Sequence, residues 1–180
     1  MQLWLRPVLA RTIIDHAQRN LPNECCGVII GVGIEAHEVV PVPNIATEPE
    51  LHYRMDDRVL TELFFRTQRD NKAIIGFYHS HPTSEPVPSR TDVALASYPD
   101  MAYVIASLRG EEARLAAWSI KPGQVKAIEL SISESKPTPE EAPLSLVQKR
   151  AIIASVIIAF LFMLVLSLSL LPPAPVIPVP

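Results

Sequence analysis

A strand that runs directly into a proline-broken loop constrains this chain more than any other feature. Ala73-Ile-Ile-Gly-Phe-Tyr78 is a short apolar run rich in β-branched and aromatic residues, the composition of a buried strand. His79-Ser-His81 continues it. Strand side chains alternate between faces, so His79 and His81 leave the strand end on the same side. Pro82, Pro86 and Pro88 then exclude regular structure, because each lacks a backbone donor and holds its predecessor extended. Ser89-Arg-Thr-Asp92, followed by Val93-Ala-Leu-Ala96, has the form of a helix N-terminus with Ser89 as the cap and Asp92 three residues on. Such a loop can fold Asp92 back toward the histidines.

Two imidazoles and a carboxylate form a nitrogen and oxygen donor set that suits zinc and leaves the fourth tetrahedral position for water. An open position is a mark of catalysis: zinc lowers the pKa of water to about 7 and polarises a carbonyl, as amide hydrolysis near neutral pH requires. A general base is also needed. Glu24 is the candidate, in Leu21-Pro-Asn-Glu-Cys-Cys-Gly27 and just ahead of the apolar Val28-Ile-Ile30. Each residue also has a plainer reading: two polar histidines at a strand end, a simple Ser89/Asp92 capping pair, and a solvated loop acid at Glu24.

Together, Glu24, His79-x-His81, Ser89 and Asp92 resemble the JAMM signature of the MPN-plus zinc metallopeptidases, a family that includes deubiquitinating isopeptidases. The Leu21-Pro-Asn-Glu-x-Cys-Gly turn, Tyr53-x-Met55-Asp56 and Ala102-Tyr-Val-Ile-Ala106 extend the resemblance, which covers residues 1–131. It implies that His79, His81 and Asp92 bind Zn2+, that Glu24 deprotonates the water, and that Ser89 helps to stabilise the oxyanion. The large insertions of some eukaryotic relatives are missing, which makes the chain similar to the compact prokaryotic members. Some of those act on small sulfur-carrier proteins. The resemblance therefore implies hydrolysis of an amide bond at the C-terminal tail of a ubiquitin-like or sulfur-carrier protein. The alternative is a membrane-tethered, non-catalytic MPN scaffold or binding module; such relatives usually lose motif residues, and this chain keeps all of them.

The surrounding pattern predicts an α+β fold. Residues 1–6 read as a strand, 7–20 as an amphipathic helix, and 28–33 with 36–42 as a hairpin turning near Gly33, before Pro41, Pro43 and Pro49 impose an irregular segment. A second helix follows Asp57, with Val59, Leu60, Leu63, Phe64 and Phe65 expected on an apolar face opposite Glu62, Arg66, Arg69 and Asp70. Strands are expected at 102–108, 114–120 and 125–130. The sum is a mixed, mostly antiparallel sheet flanked by helices, in agreement with the curved MPN sheet that the resemblance implies.

Composition excludes several alternatives. With 16 basic and 19 acidic residues in 180, the net charge of −3 and the lack of a basic stripe argue against a nucleic-acid partner. Cys25 and Cys26 are adjacent, where a disulfide would be strained, and read as small buried residues. His16, His37 and His52 are scattered singly.

The C-terminal part differs in kind. Residues 132–148 are polar and proline-rich and read as a linker. Residues 149–171 read as a transmembrane helix, since Ala151 to Leu171 lacks any charge and about 20 apolar residues span a bilayer core. Residues 172–180 form a proline-rich tail. Lys149 and Arg150 on the amino side place the catalytic domain in the cytoplasm by the positive-inside rule, and the N-terminus lacks the long apolar region of a secretory signal.

Overall fold

The computed structural model describes residues 1–137 and 146–169, with side chains in the last helix described at Arg150 and from Ile153 to Ser167. The chain divides into two compact units, Met1–Pro137 and Thr138–Pro180.

In the first unit the order is β1 (Gln2–Leu5), α1 (Pro7–Asn20), β2 (Cys26–Val32), β3 (Glu35–Val42), α2 (Asp57–Arg69), β4 (Ala73–His81), α3 (Arg90–Leu95), β5 (Ala102–Ser107), β6 (Arg114–Lys121) and β7 (Gln124–Ile132). Pro7 opens α1, where its missing N–H goes unused, and Ala10, Ile13 and Ala17 form the buried stripe. Asp56 caps α2 by accepting from the backbone N–H groups of Arg58 and Val59. Phe65, expected on the apolar face of this helix, is instead exposed.

The strands run β1-β3-β2-β4-β5-β6-β7 and close into a barrel. The α+β class and the mixed sheet match the sequence reading: β2–β3, β2–β4, β5–β6 and β6–β7 are antiparallel, whereas β4–β5, β1–β3 and β1–β7 are parallel. Closure was not expected. It depends on β1 lying beside β7, from Gln2↔Glu129 to Leu5↔Ile132, a pairing between distant stretches that local pattern does not encode. The expected strand at 36–42 is observed, with β3 continuing through Pro41 to Val42. The register between β1 and β3 is at Trp4↔Glu35, far from Pro41, so Pro41 has a strand on one side only, where a missing N–H is tolerated.

Both faces of the central strands are buried, which is why they read as continuous apolar runs rather than alternating ones. Leu5, Ile29, Tyr78 and Val104 pack with Ile13 of α1, while Val28, Ile30, Phe77 and Tyr103 pack with Leu63 of α2. Alternation along β4 then decides the site's location. Tyr78 faces the α1 side and Phe77 the α2 side, so His79 and His81 follow Phe77. Gly27 makes the close packing of β2 on β4 possible, since a Cβ there would run into the Tyr78 ring and the Val40 carbonyl.

The second unit contains α4 (Leu146–Ser169). Among the described residues no helix is long and apolar enough to cross a membrane. The transmembrane reading of 149–171 is therefore not supported by the structure: the described side chains from Ile153 to Ser167 fall short of the roughly 20 residues a span needs. Residues 170–171 of that expectation, 138–145 of the expected linker and the whole 172–180 tail lie outside the described residues.

Candidate metal centre

Burial sets the chemistry of this centre. His79, His81 and Asp92 are only 1%, 5% and 7% exposed, and they form a group whose donor atoms lie close enough to share one ion. His79 and His81 come from the end of β4, with Nε2 atoms 3.2 Å apart. Asp92 comes from the first turn of α3. Its Oδ2 lies 3.5 Å from His79 Nε2 and 3.4 Å from His81 Nε2. A tetrahedral ion with bonds of about 2.0–2.1 Å keeps neighbouring donors about 3.3–3.4 Å apart. The triangle therefore has the size such an ion requires.

The capping motif read from the sequence is what turns Asp92 inward. The Ser89 N–H donates to Asp92 Oδ2 (2.6 Å) and the Asp92 N–H donates to Ser89 Oγ (3.1 Å), a reciprocal capping box. Because Ser89 Oγ accepts that bond, its own proton stays available to a further acceptor.

Each imidazole presents a lone pair for a separate reason. His81 Nδ1 lies 2.8 Å from the Glu85 carbonyl, which can only accept, so Nδ1 carries a proton and Nε2 is the nitrogen whose lone pair an ion would take in the neutral ring. Burial lowers the pKa of His79 and outweighs its contacts with Asp92, which keeps the ring neutral. Burial would likewise lower His81, but bonds to Asp92 and the Glu85 carbonyl and the charges of Asp92 and Glu24 raise it. Burial alone would raise Asp92; the adjoining His79 and His81 imidazoles and the Ser89 N–H overcome it and hold the carboxyl well below the usual range. The triangle thus offers one anionic oxygen and two imidazole nitrogens.

Glu24 stands beside this group but is not one of its close donors. In the antiparallel β2–β4 pair Cys26 lies opposite His79, and continuing that register by two residues puts Glu24 opposite His81, on the face shared by Cys26 and Phe77. Two bonds fasten the approach: the Cys25 N–H donates to Ser80 Oγ (2.8 Å) and the Ser80 N–H to the Cys25 carbonyl (3.0 Å). Burial pushes the Glu24 pKa up to about 7, with the His81 charge lowering it and Asp92 raising it. That is the range in which a carboxylate exchanges protons readily near neutral pH.

Sequence reasoning missed two residues that complete the site. The ring of Tyr53 stacks on His79 at 4.3 Å between centroids and 21° between planes. Asn44 pins the segment that carries it: its Nδ2 donates to the Glu24 and His52 carbonyls, while its Oδ1 accepts from the Ala46 and Arg54 N–H groups. The signal for Tyr53 was present in the Tyr53-x-Met55-Asp56 segment, but nothing marked Asn44. A cavity of about 330 Å³ adjoins the centre, with Tyr53, Phe77, Leu95 and Tyr103 among its walls and Asp92 at its edge. Cys25 and Cys26 are buried free thiols whose pKa values burial pushes up to about 11 and about 12, so they stay protonated, unlike ligands or nucleophiles.

A buried His-His-Asp triangle with an adjacent proton-exchanging acid, on a helix-flanked barrel, defines a candidate hydrolytic metal centre of the JAB/MPN kind. Residues 7–121 match the family described as prokaryotic homologs of the JAB domain, Prok-JAB, and the chain belongs to it. It is 38% identical over 106 residues to the desampylase of Haloferax volcanii, covering 55% of this chain and 76% of the relative. It is 36% identical over 109 residues to the CysO-cysteine peptidase of Mycobacterium tuberculosis, covering 59% of this chain and 74% of that one. Its fold is similar to the solution structure of protein DSY2949 from Desulfitobacterium hafniense, with a TM-score of 0.67, 29% identity, and coverage of 74% of this chain and 94% of that one.

Proposed function

We propose that the chain is a zinc-dependent peptidase of the isopeptidase type, cleaving an amide bond at the C-terminal tail of a ubiquitin-like or sulfur-carrier protein. The observation that carries this reading is the donor triangle of His79, His81 and Asp92, with edges of 3.2, 3.4 and 3.5 Å, beside a buried Glu24. Family membership and the peptidase relative support the reaction class.

His79, His81 and Asp92 would hold the ion, their lone pairs and carboxylate oxygen already converging. Bound there, zinc would supply Lewis acidity toward water and toward the scissile carbonyl. Glu24 takes a proton from water as the carbonyl is attacked and returns it to the leaving amine. Ser89 keeps a hydroxyl proton to donate to the developing oxyanion. Tyr53 covers the His79 ring and limits water on that side. The test is to mix the zinc-loaded protein with a sulfur-carrier protein extended past its Gly-Gly terminus and to weigh the products. Cleavage after Gly-Gly that stops on chelation supports the reading; an intact substrate beside zinc-loaded protein overturns the substrate class.

We also infer attachment to a membrane through α4, with the barrel on the cytoplasmic side. The supports are the uncharged stretch after Lys149 and Arg150 and the exposed apolar side chains between Ile153 and Leu166. Recovery of the full chain in the detergent-free soluble fraction would overturn this.

A further inference from the structure

Between β4 and α3, three consecutive backbone carbonyls each accept a bond from a different side chain. The Ser84 carbonyl accepts from Ser107 Oγ (2.6 Å), the Glu85 carbonyl from His81 Nδ1 (2.8 Å) and the Pro86 carbonyl from Trp118 Nε1 (2.8 Å). The middle bond fixes which nitrogen of His81 faces the centre. The outer two reach the loop from the barrel wall, since Ser107 ends β5 and Trp118 lies within β6.

Within the loop the Glu85 carbonyl also accepts from the Val87 N–H (2.8 Å), a local bond that does not tie the loop to the barrel wall. Pro82, Pro86 and Pro88 contribute no N–H groups, so a regular ladder is excluded. The Glu85 carboxylate does pair with Arg114 (2.6 Å) and Arg109 (3.3 Å), but these groups are about half exposed, and such pairs are screened by solvent. Ser107, by contrast, is fully buried, and the Trp118 ring is packed against the core on the α2 side. Both of their bonds to the loop are partly buried, and so are less screened than the exposed ion pairs.

We propose that Ser107 and Trp118 are positioning residues for His81: by pinning the carbonyls on both sides of Glu85 they hold the acceptor that aims the His81 Nε2 lone pair. This rests on the reading of His79, His81 and Asp92 as a metal site. Partners behind a metal-ligating histidine typically govern affinity by about ten- to a hundredfold.

The test compares the full-length chain with Ser107→Ala, Ser107→Thr and Trp118→Phe, measuring zinc affinity by competition with a chelator and thermal melting of the zinc-free proteins. Ser107→Ala and Trp118→Phe should each bind zinc about ten- to a hundredfold more weakly, and Ser107→Thr, which keeps the hydroxyl, should recover most of the loss. Unchanged zinc affinity in both, with only the zinc-free melting temperature lowered, would overturn the proposal and leave the two residues as ordinary packing. A wild-type chain that takes up no zinc would instead remove the metal reading beneath it.

Discussion

Cys26 lies opposite His79 in the antiparallel β2–β4 pair, and continuing this one register carries Glu24 to the end of β4 that holds His79 and His81. The acid and the histidines belong to segments more than fifty residues apart, yet a shift of one residue would turn Glu24 to the other face of the sheet. The proximity is therefore a property of the barrel as much as of the motif.

Replacing Glu24 by Gln keeps the shape of the side chain and removes its ability to take a proton. We expect Glu24→Gln to retain zinc while turnover falls by roughly a hundred- to ten-thousand-fold, the range of general-base contributions. Zinc content and single-turnover rates measured on the same preparation check this, and a rate within a few-fold of wild type would remove Glu24 from that role.

The same substitution carries a pH signature in the zinc-free protein. Burial raises the Glu24 pKa from 4.5 to about 7, so the folded state retains a proton that the unfolded chain releases. The folded state is favoured by this group below about pH 4.5, and that advantage is lost as pH rises through 7. Glu24→Gln does not ionise. Its stability relative to wild type should therefore climb between pH 4.5 and 7 and level off above, as read from denaturation midpoints across pH. A pH-independent difference would contradict the burial argument.

Much of the site was legible locally. Alternation in β4 put His79 and His81 on one side, and Ser89 with Asp92 announced the capping box that turns the carboxylate inward. Tyr53 was marked by its segment but its stacking on His79 was not, and Asn44 and the closure of β1 on β7 were not legible, because each depends on contacts between segments whose meeting is decided by the whole sheet. Pro41 is admitted to β3 for a similar reason. Its local effect is to break regular structure, and only its place on a one-sided stretch of β3 makes it harmless.

Gly27→Ala tests the packing that supports the register. The added methyl would meet the Tyr78 ring and the Val40 carbonyl, and the ring cannot swing away without disturbing the 2.9 Å bond between its hydroxyl and His16 Nδ1. Overpacking of this kind costs about 1–3 kcal/mol. Urea midpoints of the zinc-free proteins measure it, and a loss under about 0.5 kcal/mol, the scale of an ordinary surface substitution, would show that β2 and β4 can part at little cost.

The central claim is that His79, His81 and Asp92 hold one zinc ion. Elemental analysis of the purified full-length chain, beside His81→Ala, measures this directly. The account predicts one zinc per chain in wild type and almost none in His81→Ala; equal metal content in the two, or a wild-type chain without zinc after exposure to it, would contradict the assignment.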